Sequence, residues 1–131
     1  MTVAEYPDGL VGQQVSRLSH DFSVFVEFGD GDGLRVETPF TVVPAGSDRP
    51  VEIDPEEPEE HWSVVTGLLH QRVVHAAVGP QGVLSLLFAR GDRMECPPHS
   101  QHEAWTFTSQ TGELVVCTPG GDLARWAGRT L

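Results

Sequence analysis

The chain has no lysine. All eight of its basic residues are arginine, set against 19 acidic ones, for a formal net charge of −11 over 131 residues. A surface so poor in positive charge repels phosphate, which argues against nucleic acid or an anionic membrane as a partner. A basic protein would instead be attracted and steered, although the same charge also serves plain solubility. Cysteine is almost absent: Cys96 and Cys117 are the only two. That excludes a disulfide scaffold. Both fall in apolar-periodic stretches, where buried free thiols are expected, with one bridge between neighbouring strands as the alternative. Hydrophobic residues make up 39% of the chain, lean for a globular protein but too many for disorder. No apolar run is long enough to span a membrane as a helix, and residues 1–10, with Glu5, Tyr6, Pro7 and Asp8, show no signal-peptide pattern. A cytoplasmic location is the expectation.

Signatures of catalysis are missing as well. There is no G-x-S-x-G, and neither cysteine has the flanks of a hydrolase nucleophile. Gly120-Gly121 is followed by Asp122 rather than by a helix with a basic residue, so it reads as a turn and not a phosphate cradle. A non-enzymatic protein without a cofactor is expected.

What is abundant is turns. Fourteen glycines and ten prolines favour many short elements, a β-rich composition. Val24, Val26 and Phe28 alternate and run into Gly31-Asp32; sixty positions later Leu84, Leu86 and Phe88 do the same before Gly91-Asp92. Side chains on a strand alternate faces, so each is a strand with one apolar side that turns at a glycine. Upstream, Leu10-Val11-Gly12-Gln13-Gln14-Val15 lines up with Leu68-Leu69-His70-Gln71-Arg72-Val73. A weaker third echo is Gly112-x-Leu114-x-Val116 before Gly121-Asp122. The pattern predicts a mainly β (α+β) fold: antiparallel sheets from an internal twofold repeat of hairpin units, though generic hairpins also look alike. One domain spans residues 1–131 in this reading. The first unit covers about 10–43, with residues 34–43 as one strand interrupted at Pro39. An acidic, proline-rich seam covers 44–60. A helix and the second unit cover about 55–97, and a C-terminal β-meander 103–127. Trp105, Phe107, Leu114, Val116 and Trp126 are core candidates.

The seam carries the most distinctive surface feature: Glu52, Asp54, Glu56, Glu57, Glu59 and Glu60. Asp54 before Pro55 reads as an N-cap with proline at the first helical position, and carboxylates suit the positive end of a helix. Trp62, Val65 and Leu69 then recur at helical spacing, predicting a helix near 55–69 with that stripe on the sheet. The acids are either a solvated helix start or a surface that occupies a basic groove on another protein. One metal-like cluster exists: Cys96, His99, His102 and Glu103 are zinc-ligand types at chelating spacing. Two prolines lie inside that loop and no helix fixes both histidines on one face, so a solvated loop is the competing reading.

His102-Glu103-Ala104-Trp105, Gly112, Pro119-Gly120-Gly121 and Trp126 resemble a signature of the form (Tyr/His)-Glu-Ala-Trp … Gly … Pro-Gly-Gly … Trp. It is similar to that of an actinobacterial family of small proteins of unknown function. The likeness extends over about residues 65–127, with His102 where tyrosine is usual and His70 where glycine is usual. It implies no catalytic residues. By analogy, small acidic proteins of this kind serve as immunity proteins beside bacterial toxins. The leading expectation is therefore an uncharacterised cytoplasmic, non-enzymatic binding module for a basic protein partner, with an immunity-like role as the analogy. The alternative is a small-molecule or metal-binding β protein with its site at the 96–103 loop.

Overall fold

The computed structural model describes Pro7 and residues 9–29 and 31–126. Residues 1–6 and 8, Asp30 of the first glycine turn and the meander's last residue, Ala127, lie outside them. Three short strands form the first meander: β1 (Val15–His20), β2 (Val24–Phe28) and β3 (Asp32–Val36). Alternation decides their faces. Val24, Val26, Phe28, Leu34 and Val36 are buried, while Phe25, Glu27 and Arg35 lie on the other side. A second meander follows the same rule: β6 (Val73–Val78), β7 (Leu84–Phe88) and β8 (Arg93–Cys96). Between them run β4 (Phe40–Val43) and β5 (Val51–Ile53); after them come β9 (Trp105–Thr108), β10 (Leu114–Cys117) and β11 (Leu123–Trp126).

The strands make two antiparallel sheets, one of order β1-β2-β3-β9-β10-β11 and one of order β5-β4-β8-β7-β6. Each meander is completed by strands from the other half of the chain. β9 pairs with β3, and β4 with β8. The chain therefore changes sheets after β3 and again after β8. Pro39 and the Pro97-Pro98 pair sit at these crossings, where residues without an amide hydrogen end a ladder. Residues 34–43 are thus not one bulged strand but parts of two strands in opposite sheets, and β5 adds a strand inside the expected seam.

Buried side chains from both sheets form one cluster, including Phe28, Phe40, Phe88, Trp105 and Phe107. The indole of Trp105 donates to the Gly82 carbonyl at 3.1 Å, so its buried N–H is satisfied. Trp126 departs from expectation: it is 53% exposed on the edge strand β11. The helix also departs from expectation. A 3-10 turn (Pro58–His61) leads into α1 (Trp62–Thr66), and no side chain caps either. Asp54 instead accepts the Glu56 amide at 3.0 Å and so closes a turn before the helix. The buried stripe is Val65 and Leu68, with Trp62 packed at its margin and Leu69 turned out.

The two meanders are matched in detail. A bulge lies between Val15 and Arg17 in one and between Val73 and His75 in the other. Their lead-ins exchange backbone hydrogen bonds: Gly12 N donates to Val73 O and His70 N to Val15 O, both at 2.8 Å. Val73 N donates to Gln13 O, and Val15 N to Gln71 O, both at 2.9 Å. Each meander also has a glutamine–aspartate clamp. Gln13 bonds the Gly9 carbonyl and Asp32, whose other oxygen accepts the Gln110 amide at 2.8 Å. Gln71 bonds the Gly67 carbonyl at 2.8 Å and Asp92 at 3.2 Å. Burial alone would push the Asp92 carboxyl up. Hydrogen bonds from Arg90 and Gln71, the Arg90 charge and the Ala45 amide outweigh it and hold the carboxyl below its usual 3.8. Among the described residues no helix is long and apolar enough to cross a membrane.

Candidate functional site

The acidic segment takes its shape from β5 and the turns after it. Glu52 lies on β5 opposite Thr41, on the sheet's edge strand. Pro55 and Pro58 are buried and fix the path, while Glu52, Asp54, Glu56, Glu57, Glu59 and Glu60 are all exposed. The single ion pair among these six within the described residues is Glu60 with His61 at 3.9 Å. None pairs with an arginine there. The segment thus presents its charge to solvent.

The 96–103 loop does not assemble a metal site. Among the described residues no group of three or more His, Cys, Asp or Glu is placed to hold a metal ion. Cys96 is 1% exposed and faces the shared core, whereas His102 and Glu103 are exposed. Burial pushes the Cys96 thiol up, with smaller contributions from Cys117 and Glu95, and burial pushes Cys117 up as well. Both thiols are free and held protonated, the opposite of what a metal ligand or nucleophile needs. His99 is structural: its Nδ1 accepts the Gln101 amide at 3.0 Å and its carbonyl accepts the Gly120 amide at 2.9 Å. Its ring lies 4.9 Å from that of His102.

The feature that sequence reasoning missed is a cleft on the outer face of the six-stranded sheet. Two hollows of about 330 and 430 Å³ share Arg35, Glu37 and Glu103. β2 supplies Phe25, β3 supplies Arg35, and the crossing before β9 brings Glu103. The β1–β2 turn adds Phe22 and Ser23, and the acidic segment adds Glu56 at the rim. Arg35 lines both hollows and has partners of its own. Its guanidinium lies 5.3 Å from the Phe25 ring centroid, donates to Ser23 Oγ at 3.1 Å and pairs with Glu37 at 3.4 Å. Phe22 is 76% exposed and has a φ of 58°, a backbone region costly for a bulky residue. An aromatic in a turn, where glycine or asparagine is usual, is the one sequence signal that could have marked the place. Nearby, His20 packs edge-on against Trp62 at 4.6 Å. A smaller hollow of about 290 Å³ lies on the five-stranded sheet, lined by His75, Ser85, Leu87, Arg93 and Glu95.

No curated protein and no solved structure matches this chain. A family described as "Family of unknown function (DUF6188)" matches residues 6–127. The chain belongs to that family.

Proposed function

We propose that the protein is a non-enzymatic binding module for a basic protein partner, acting in the cytoplasm in the manner of an immunity protein. The observation that carries this reading is the exposed acidic segment: six carboxylates without an arginine partner among the described residues, on a chain of net charge −11. Charges left unneutralised at a surface add little to folding and act mainly on association. The signature from His102 to Trp126 supports an actinobacterial origin for the family, and the matched registers of the two meanders support their being copies of one unit.

The test is the product of the neighbouring gene. A basic toxin encoded beside this chain should bind it, and association should slow sharply between low and high salt because the Debye length shrinks. Replacing Glu52, Asp54, Glu56, Glu57, Glu59 and Glu60 by their amides should slow association without lowering thermal stability. Tight binding indifferent both to salt and to those amides would refute the acidic surface as the means of recognition.

A further inference from the structure

The acidic segment and the outer-face cleft meet at Glu56. We infer that the cleft between Phe22 and Glu103 is the seat for an arginine side chain of the partner; this rests on the binding-module reading above. The cavity comes first. It is open, formed by side chains from separate segments, and lined in part by an aromatic ring that is 76% exposed. A guanidinium is the group that such a wall suits, since it is planar, weakly hydrated and stacks on aromatic faces.

The charge of the lining selects the occupant. Arg35 is already balanced by Glu37 at 3.4 Å. Glu56 and Glu103 carry no ion pair among the described residues, so the hollow keeps an excess of negative charge. Carboxylates accept a guanidinium in a two-bonded fork that an ammonium cannot form. The site also holds one guanidinium by this chemistry, with Arg35 set against the Phe25 ring and a carboxylate. Phe22 and Glu103 line one hollow, and so put an aromatic ring and a carboxylate within it for a second one. A second copy of this chain is disfavoured there, because each copy brings a net charge of −11.

The experiment compares blocked oligo-arginine and oligo-lysine peptides of equal length, titrated into the full chain while backbone amide shifts are followed. Oligo-arginine should shift the amides of residues 22–25, 35–37 and 103–106, and should bind more tightly than oligo-lysine. Phe22→Gly should weaken oligo-arginine binding about tenfold, the loss of one good cation–π contact. Its melting temperature should not fall, because glycine adopts the backbone of that turn freely. Glu103→Gln should weaken the same peptide severalfold. Equal affinity for the two peptides, with Phe22→Gly silent and glutamines at Glu52, Glu57, Glu59 and Glu60 abolishing binding, would overturn the cleft and leave the binding module standing. If neither peptide binds at low salt, both readings fall.

Discussion

Phe22 and Gly82 sit at corresponding places in the two meanders, each just before the residue whose carbonyl closes its turn. Asp21 N donates to Ser23 O and Gly79 N to Val83 O, both at 2.9 Å. Both residues have positive φ, 58° and 89°. Their surroundings differ. A Cβ on Gly82 would collide with the backbone of Gly121, because the β6–β7 turn packs against the β10–β11 turn. At the β1–β2 turn the side chain is mostly in solvent. Close packing admits only glycine in the second turn; open space leaves the first free to carry an aromatic ring at the cost of backbone strain. The fold demands Gly82 and does not demand Phe22.

Exchanging the two residues tests this contrast most severely. Gly82→Phe should lower stability by about 3 kcal/mol or more, from overpacking and positive-φ strain together. Phe22→Gly should raise it by about 1 kcal/mol. Urea midpoints measure both, and similar losses at the two sites would erase the distinction between the turns.

The glutamine–aspartate clamps come next. Asp32→Asn and Asp92→Asn should each cost about 2 kcal/mol, since each aspartate is buried and accepts several bonds. The Asp92 carboxyl lies below its usual 3.8 in the folded chain, so protons favour the unfolded state. Its contribution is full above that usual value and is lost as pH falls through the folded one. Asp92→Asn should therefore remove part of the loss of stability on acidification, read from urea midpoints across the acid range.

The lead-ins share a positive-φ position that holds glycine in one and histidine in the other. Gly12 has a φ of 97° and its counterpart His70 a φ of 69°. His70→Gly should gain about 1 kcal/mol, and Gly12→Ala should lose about as much through strain alone, since nothing crowds that position. Thermal melts of the pair give the comparison. The smallest effect on stability belongs to Glu52, Glu57, Glu59 and Glu60. Their glutamine variants should melt with the parent while associating more slowly with a basic partner. A large drop in melting temperature would show that the acids serve the fold.

Much of the architecture was legible in the chain. Val24, Val26 and Phe28, like Leu84, Leu86 and Phe88, announced inward faces, and the glycine turns at 31 and 91 set their ends. Of the helix expected near 55–69, Trp62–Thr66 is α-helical, because Pro55 and Pro58 mark turns in the chain path. The metal-like cluster is not assembled because Cys96 continues the alternation of Met94 into the core, while His102 and Glu103 are exposed on the crossing. The cleft was invisible for another reason. Phe22, Arg35, Glu56 and Glu103 come from four separate segments.

Composition and period-two patterning by themselves determined a β-rich, strongly acidic chain with inward faces chosen residue by residue, because side-chain direction is a local property of an extended backbone. Which strand lies beside which was decided only by the tertiary structure. β3 could have continued into β4, but the chain crosses sheets at Pro39, and β9 takes the place beside β3. That exchange brings Glu103 across to Arg35, and it rests on hydrogen bonding and burial between segments some seventy residues apart, which no local pattern encodes.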